Sequence, residues 1–234
     1  MSAQNRPGQT LGEGMDARTD HVTGITNLLL QCVPNLLAGK YRPAPFTSPV
    51  GAVLQESGES TKHVYFLESG IVSLLIDKFA VGFVGKHDAV GALSALTAIP
   101  PSAHGVVEVP ATGWVIGVDE FRDLSALASF RRALLVQEQE RLAEAQRISA
   151  CAAFQPLERR LAGCILKLWA ASGEVEFRLT QEKLGMFLGV RRSTVLLSVA
   201  SLKDAGLIDH RRGVIIIRDI EDLKQRAGHC YIGR

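Results

Sequence analysis

Two arginines and two hydroxyl residues stand side by side near the C-terminus of this chain. Arg191, Arg192, Ser193 and Thr194 follow the turn residue Gly189 and precede an apolar pattern of helical spacing. A guanidinium group can donate two hydrogen bonds to O6 and N7 of guanine, while hydroxyl groups and helix N-termini bind phosphate. The four residues therefore predict contacts with DNA. Two alternatives stay open: Ser193 or Thr194 could cap the helix, and Arg192 could be a solvated surface charge.

A second pair of arginines occupies the sequence HRRG, between two short β-prone runs, LID and VIII. This order predicts a β-hairpin with Arg211 and Arg212 at its tip. A hairpin beside a DNA-binding helix can lie along the DNA backbone, where arginine contacts phosphate without reading sequence. We therefore expect Arg211 and Arg212 to contact phosphate groups.

Two short helices are predicted to position the first cluster. Thr180 is a favourable N-cap for a helix that Gly189 ends, and Thr180 and Gln181 at its start join the expected DNA contacts. A second helix is predicted over residues 192–205, closed by Gly206. Because the connecting turn is tight, this helix can project outward into a major groove that is ~12 Å wide. The residues expected to face inward are Leu184, Phe187, Leu188, Val195, Val199 and Leu202.

Charge is distributed unevenly along the 234 residues. Residues 156–234 contain 14 Lys and Arg against 9 Asp and Glu, whereas the first 155 residues contain 12 against 15. A net charge of +5 beside one of −3 is typical of a polyanion-binding module joined to a different kind of domain. This module is predicted to begin with a helix that follows Pro156 and ends at Gly173. The apolar residues of that helix recur at helical spacing: Leu157, Leu161, Ile165, Leu168 and Trp169.

The segment from Val50 to Val118 has a different pattern, in which glycines separate short β-prone runs. The runs are HVYFL, GIVSLLI, FAVGFV, GVVEV and GWVIGV. Several short strands at this spacing predict an antiparallel sandwich or barrel. The glycines are expected at turns, because tight turns need a positive φ. They are Gly51, Gly58, Gly70, Gly82, Gly85, Gly91, Gly105, Gly113 and Gly117.

No Gly or Pro interrupts the chain from Phe121 to Phe154, and helix formers dominate this stretch. A helix of about 30 residues would be ~45 Å long, longer than a small domain is wide, so a dimer partner is expected along it. Its apolar residues follow heptad spacing, but Glu138 and Ser149 interrupt the seam. The alternative is a long helix packed on its own β-domain. The residues assigned to the dimer helix are Leu127, Leu134, Leu135, Leu142, Ala145, Ile148 and Ala152.

The remaining features limit the kind of protein. Residues 1–22 are polar and glycine-rich, which predicts a disordered tail, and residues 23–38 have a helical spacing that Pro34 must bend or split. There is no apolar run long enough to span a membrane and no secretory signal, so a cytoplasmic protein without a membrane partner is expected. The cysteines form no C-x-x-C pair and are expected to be reduced and mostly buried. They are Cys32, Cys151, Cys164 and Cys230.

The C-terminal pattern LTQEKLGMFLGVRRSTV, followed by SLKDAGLI, RRGVIII and a final CY, resembles the Crp/Fnr superfamily of transcription regulators. The run FLESGIVSLLI supports the resemblance, which extends over about residues 23–230. It implies an α+β fold with an N-terminal antiparallel β-roll of the cyclic-nucleotide-binding jelly-roll type, a long dimerisation helix and a C-terminal winged helix-turn-helix. The expected boundaries are 1–22 for the tail, 23–122 for the roll, 123–154 for the dimer helix and 155–234 for the DNA-binding domain.

The resemblance also assigns individual residues. Arg192 matches the recognition-helix arginine that the family uses on guanine, whereas Ser193 and Leu197 stand where the cyclic-AMP receptor has a glutamate and a second arginine. A different half-site is therefore expected. The family's cyclic-nucleotide cassette needs Gly-Glu for ribose and Arg-Ser for phosphate, but the corresponding stretches here read GAL and PPSA, so cyclic AMP is not expected to bind. The residues of this degenerate cassette are Gly91, Ala92, Leu93, Pro101 and Ser102.

Three hypotheses compete. The first is a homodimeric regulator, not an enzyme, on a roughly palindromic operator, with RNA polymerase as a further partner if it activates transcription. Its roll would sense an unidentified small molecule or serve as a constitutive dimer scaffold, and no metal or cofactor is expected. The second is a cupin-type metalloenzyme with His63, His87 and His104 as ligands, although cupins group two histidines closely. The third is a winged helix that binds protein. A haem site on His87 or His104 is disfavoured, because a lone histidine is more often a surface or core residue.

Overall fold

The structure is a computed structural model that describes residues 41–232. Its strands are β1 (Ala44–Ser48), β2 (Val53–Gln55), β3 (His63–Ile76), β4 (Phe79–Val84), β5 (Ala89–Val90), β6 (His104–Gly117), β7 (Glu176–Arg178), β8 (Ile208–Arg211) and β9 (Val214–Ile217). Its helices are α1 (Ala92–Thr97), α2 (Val118–Ser125), α3 (Ala128–Phe154), α4 (Leu157–Ser172), α5 (Gln181–Leu188), α6 (Arg192–Asp204) and α7 (Ile220–Ala227), followed by a 3-10 turn (Gly228–Cys230). The tail predicted over 1–22, the helix predicted over 23–38 and Cys32 lie outside the described residues.

Strands β1 to β6 form one antiparallel sheet in the order β1-β6-β3-β4, with β2 also paired to β6 and β5 to β3. The prediction of an antiparallel β-roll is therefore confirmed. The five predicted runs form fewer strands than expected. HVYFL and GIVSLLI together form the single strand β3, and GVVEV and GWVIGV together form the single strand β6. Two long central strands, each of 14 residues, carry the roll.

Four of the glycines expected at turns lie instead inside these long strands. Gly70 has a φ of 90°, and a Cβ added there would come within 2.5 Å of the Ala111 Cα. A Cβ on Gly113 would lie 1.9 Å from the carbonyl oxygen of Phe66. The register between β3 and β6 shifts in this region, so these glycines bend the strands without ending them. The other expected turn glycines that lie within strands are Gly82, Gly105 and Gly117.

The proline-rich segment before Val53 contains an edge strand that its composition conceals. Strand β1 pairs with β6 over its whole length, with Pro45 opposite Trp114. Proline lacks an N–H group but is tolerated in an edge strand, and β1 lies at the edge of the sheet. The short helix α1, which follows Gly91, is a second element that the sequence analysis did not predict.

Two apolar clusters hold the roll together and attach the long helix α3 to it. Phe66, Phe121 and Phe130 form one of them, with ring centroids 5.8 to 6.4 Å apart. Because these rings come from β3, α2 and α3, they fix the start of α3 on the roll. The other cluster fills the interior of the roll with Leu67, Val72, Val84, Val90, Val107 and Ala111.

The prediction of one helix from 121 to 154 is wrong at its start. The chain forms α2, passes through Leu127 in an extended conformation (φ −71°, ψ 124°), and only then begins α3. Arg131 stabilises this break, because its Nε donates to the carbonyl of Ser125 at 3.0 Å and its Nη2 to that of Ala126 at 2.9 Å. Helix α3 has 27 residues and is therefore about 40 Å long.

The long helix α3 buries one face on the roll and leaves another exposed. Leu134 is buried beside Phe130 and Ala133, so the prediction that Leu134 belongs to an outward dimer face is corrected. Leu135 and Leu142 are 61% and 53% exposed. The helix thus packs on its own domain and still presents an apolar stripe. The other residues predicted for the dimer face are Leu127, Ala145 and Ala152, which are exposed, and Ile148, which is half-buried.

Residues after Pro156 form helices α4 to α7 and a three-stranded sheet in the order β7-β9-β8. Pro156 precedes α4, and Gly173 ends it with a φ of 76°, as predicted. Strand β7 and helix α7 were not predicted, because β7 has only three residues and α7 buries only Leu223 and Ala227. The predicted inward-facing residues of α5 and α6 are all buried: Leu184, Phe187, Leu188, Val195, Val199 and Leu202.

The three cysteines in the described range are free and buried. Burial raises the pKa of Cys164 to about 11. Burial, together with a hydrogen bond with Cys151, raises the pKa of Cys230 to about 12. Both thiols are therefore protonated at neutral pH, in agreement with the prediction of buried, reduced cysteines. None of the helices between residues 41 and 232 combines the length and the apolar character needed to cross a membrane.

Candidate nucleic-acid interface

The two helices of the turn motif are held together at their connection. Thr180 Oγ1 accepts a hydrogen bond from the Lys183 amide at 3.2 Å, so Thr180 caps α5 as predicted. Gly189 ends α5 with a φ of 64°. Gly185 lets the turn close, since a Cβ there would lie 2.8 Å from the carbonyl oxygen of Val190. This close approach sets the direction in which α6 leaves the turn.

The polar residues at the start of α6 are all on the surface. Arg191, Arg192, Ser193 and Thr194 are exposed, and the following residue, Val195, is fully buried and anchors the helix. Arg191 is the N-cap residue, and no side-chain hydrogen bond caps this helix. The alternative that Ser193 or Thr194 serves as a cap is therefore excluded for this conformation. The cluster is free to meet a polyanion at the positive end of the helix.

Arg192 is held in place by the neighbouring helix. Its Nε donates a hydrogen bond to Oε1 of Gln181 at 3.1 Å. Among the described residues nothing else engages this guanidinium, so its two terminal nitrogens stay available for paired hydrogen bonds. Gln181 was predicted as a DNA contact, and in this structure its side-chain amide oxygen Oε1 orients Arg192. The sequence alone does not indicate this pairing, because the partners lie on different helices.

The wing predicted from HRRG is the hairpin β8–β9. Arg212 (φ 47°) and Gly213 (φ 79°) form its two-residue turn, and Arg211 is paired with Val214. The side chain of Arg211 is 74% exposed, and Arg212 is also exposed. The tip therefore presents two cations to the solvent.

A mostly buried carboxylate gathers basic side chains at the base of the wing. Asp209, whose side chain is 12% exposed, lies 2.9 Å from Nε of Arg211. It also lies 3.4 Å from Nη2 of Arg218 and 3.5 Å from Nζ of Lys203. Burial by itself would raise the pKa of Asp209, but the His210 amide and the three cations lower it below its ordinary value. The carboxylate is therefore ionised at neutral pH and positions Arg211.

Two leucines on the outer side of α6 are further candidate contacts: the resemblance already placed Leu197 at a position that reads bases, whereas Leu196 was not predicted. Leu197 is 75% exposed and Leu196 is 43% exposed. An apolar side chain at such a position can contact the methyl group of thymine. The spacing could have identified Leu196 as well, since neither leucine falls on the inward period of Val195 and Val199.

The first helix of the motif also contacts the roll. Lys183 Nζ lies 2.6 Å from Oε2 of Glu108, whose side chain is only 7% exposed. The other carboxylate oxygen of Glu108 accepts a hydrogen bond from Ser73 Oγ at 2.7 Å. Phe83 and Phe187 pack edge to face with ring centroids 5.0 Å apart. These contacts involve α5 and leave α6 exposed.

The residues of the degenerate cassette contain neither the carboxylate nor the guanidinium that the resemblance assigns to a cyclic-nucleotide site. Gly91 has a φ of 85° and leads into α1, and the buried Ala92 stands where a ribose-binding carboxylate would be needed. Pro101 is buried, and its carbonyl accepts a hydrogen bond from the Gly58 amide at 2.8 Å. No guanidinium is therefore supplied at the phosphate position. The two other cassette residues, Leu93 and Ser102, are exposed.

The histidines considered as metal ligands do not converge. Within the described part of the chain, no three His, Cys, Asp or Glu side chains are arranged to hold a metal ion. His104 Nδ1 instead lies 2.7 Å from Oε2 of Glu56. His63 is exposed at the start of β3, and His87 lies in the turn between β4 and β5. The cupin-type hypothesis gains no support from residues 41–232.

Comparison with protein families identifies the class of protein. Residues 47–127 match the family model of the cyclic nucleotide-binding domain, and residues 159–226 match that of the Crp-like helix-turn-helix domain. The two matches follow each other in the order of the roll and the winged helix described above. The chain belongs to the Crp/Fnr family of DNA-binding transcription regulators.

Solved structures share this architecture. The c-di-GMP responsive global regulator CLP of Xanthomonas campestris matches with a TM-score of 0.65 and 16% identity, over 81% of this chain and 99% of that one. A Crp/Fnr-family regulator of Thermus thermophilus gives 0.66 and 21%, over 79% and 98%. FixK2 of Bradyrhizobium japonicum gives 0.65 and 15%, over 79% and 96%. At these identities the likeness establishes the fold. A search among curated proteins found no match.

Proposed function

We propose that this chain is a homodimeric regulator that binds a roughly palindromic operator through α6. The observation that carries the proposal is the exposed start of α6, where Arg192 is already oriented by Gln181. A guanidinium held at Nε has its terminal nitrogens free for O6 and N7 of one guanine. Arg192 is therefore assigned to base reading.

The other exposed residues divide into base and backbone contacts. Ser193 and Thr194, in the first turn of α6, contact base edges or phosphate, and Leu197 favours thymine at a neighbouring position. Backbone contacts fix the register of the protein on the duplex without specifying sequence. The residues assigned to phosphate are Thr180, Arg191, Arg211 and Arg212.

Dimerisation is proposed through the exposed stripe of α3. Leu135 and Leu142 lie one heptad apart and are both more than half exposed, which is unfavourable for two leucines in a monomer. A second copy packed on this stripe would bury them. The twofold axis would then place two α6 helices in successive major grooves, about 34 Å apart along the DNA.

The signal that controls the regulator is proposed to be something other than cyclic AMP. Ala92 and Pro101 stand where a cyclic nucleotide requires a carboxylate and a guanidinium, and apolar side chains pack together in the roll interior. The roll therefore either senses a different small molecule or serves as a constitutive scaffold. RNA polymerase is a further partner if the protein activates transcription.

Selection from random-sequence DNA tests the proposal. The purified chain is expected to enrich an inverted repeat with a guanine in each half-site and half-site centres about one helical turn apart. Arg192→Ala should lose the preference at that guanine, whereas Arg159→Ala, which removes an exposed arginine outside the motif, should keep it. Enrichment of a single half-site would contradict the dimer geometry. If the affinity for duplex DNA does not fall as the salt concentration rises, phosphate contacts are absent, and the winged helix would instead bind protein.

A further inference from the structure

A cavity of about 400 Å³ lies where the roll, the long helix and the DNA-binding domain meet. Its walls come from the end of β4 and the turn that follows, from α3, from α4 and from the C-terminal residues Tyr231 and Ile232. It is separate from the interior of the roll. Ligand sites typically measure roughly 300 to 1,000 Å³ and are frequent at domain interfaces.

The rim of the cavity is tightly packed. A Cβ added to Gly85 of the roll would lie 2.6 Å from the Cβ of Ala171 on α4, so the two backbones approach closely there. The edge-to-face pair of Phe83 and Phe187 holds the same two parts of the chain together. The cavity is therefore preformed, which lowers the entropic cost of filling it.

Three aromatic side chains belong to the wall of the cavity. Phe83 comes from β4, Trp169 from α4 and Tyr231 from the C-terminal end. Rings of this kind pack favourably against a flat aromatic ligand. Burial raises the pKa of Tyr231, so its hydroxyl group stays neutral and can form a hydrogen bond.

One wall carries an unsatisfied polar atom. His87 Nδ1 is buried without a hydrogen-bond partner among the described residues. His87 also has a φ of 72°, which is uncommon for a residue other than glycine. Burial, and then the charge of Lys86, lower the pKa of His87, so the imidazole is neutral at pH ~7 and its Nδ1 is left for a hydrogen bond with an occupant.

The lining of the cavity contains two lysines and two carboxylates, and one of the lysines is not in an ion pair with any described residue. Lys167 Nζ lies 2.5 Å from Oε1 of Glu144, and Arg147 binds the other oxygen of the same carboxylate. Asp88 and Lys86 add one charge of each sign to the lining. Lys86 has no ion pair within residues 41–232 and is exposed at the rim. A ligand with one negative charge would give Lys86 the ion-pair partner that it lacks.

We propose that this cavity binds a small aromatic carboxylate, with its ring between Trp169 and Tyr231 and its carboxylate on Lys86. The walls belong to three parts of the chain, so an occupant contacts the roll, α3 and the DNA-binding domain at once. Its role as the effector site rests on the proposed function, because only then is occupancy coupled to DNA affinity. Binding itself does not depend on that function.

Fluorescence of Trp169 reports on the cavity. The chain has two tryptophans, so Trp114→Phe in the full-length protein leaves Trp169 alone. Titration with 4-biphenylacetate, an anion of about 16 non-hydrogen atoms, should change the emission saturably, with a Kd on the order of 0.1 to 1 mM. The neutral 4-biphenylacetamide should bind about tenfold more weakly, because it lacks the charge-assisted contact. An absence of saturable change would overturn the proposal.

Matched variants locate the site. Lys86→Met should weaken 4-biphenylacetate about tenfold and leave the amide unchanged, whereas Lys78→Met, at another exposed lysine, should change neither. Ala170→Phe places a ring in the cavity from an exposed position and should abolish binding while the chain stays folded. Equal affinity of all variants for 4-biphenylacetate would overturn the proposal. An affinity for 4-biphenylacetate that falls as the protein concentration rises would also overturn it, because a second copy of the chain would then occupy the cavity. The assay contains no DNA, so its failure leaves the proposed function untouched.

Discussion

Gln181→Ala is expected to weaken operator binding although the fold stays intact. The variant removes the 3.1 Å hydrogen bond that orients Arg192. An arginine side chain loses roughly 1.5 to 2 kcal/mol of rotamer freedom when it is fixed, and the bond to Gln181 restricts only part of the chain. We therefore expect a loss of about 1 kcal/mol, or a roughly fivefold higher Kd for the selected operator.

A double-mutant cycle separates this effect from a direct contact. Arg192→Lys keeps the charge but loses the paired bonds to guanine, which should cost about 1 to 3 kcal/mol. In that background Gln181→Ala should change the Kd very little, because Gln181 acts through the guanidinium of Arg192. Fluorescence anisotropy on the operator and on a scrambled duplex measures all four proteins. Gln225→Ala, on the exposed side of α7, is the matched control and should behave like the unchanged chain.

Additive effects of the two substitutions would refute an indirect role of Gln181. If Gln181→Ala raises the Kd by the same factor in the unchanged chain and in the Arg192→Lys variant, Gln181 contacts DNA directly. If the loss is as large on the scrambled duplex as on the operator, Gln181 contacts phosphate and does not support base reading. A lower melting temperature in Gln181→Ala would show that the hydrogen bond supports the fold.

Three further predictions concern the dimer, the turn and the wing. Leu135→Glu combined with Leu142→Glu should give a monomer in sedimentation with an unchanged circular dichroism spectrum; a persisting dimer would contradict the proposed stripe. Gly185→Ala should lower the free energy of unfolding in urea by about 1 to 3 kcal/mol, because its Cβ meets the Val190 carbonyl oxygen; unchanged stability would mean that the turn relaxes. Since the pKa of Asp209 is lowered in the folded chain, its stabilising contribution is complete above the unfolded pKa of about 3.9 and is lost as the pH falls through the folded value. Asp209→Asn should therefore have a lower melting temperature than the unchanged chain at neutral pH, and this difference should vanish in strong acid. A difference in melting temperature that does not depend on pH would contradict the role of the Asp209 carboxylate.

Local patterns of the sequence were sufficient for much of the DNA-binding domain. Thr180 and Gly189 delimit α5, and Pro156 and Gly173 delimit α4, because capping depends on a residue and its immediate neighbours. Apolar spacing identified the buried faces of α5 and α6 for the same reason, since the helical period is a local property. The family, the α+β class and the order of roll, helix and winged helix came from the resemblance of the sequence motifs to the Crp/Fnr superfamily.

Contacts between distant residues decided the rest. Gly70 and Gly113, which the sequence pattern assigned to turns, lie within β3 and β6, because each faces the backbone of the opposite strand. The break at Leu127 depends on Arg131 folding back onto the end of α2, which no propensity encodes. The hydrogen bond between Gln181 and Arg192, like the interdomain cavity, exists only because separate elements pack together. A sequence specifies which residues prefer a helix, a strand or a turn, whereas only the packed chain determines which side chains meet.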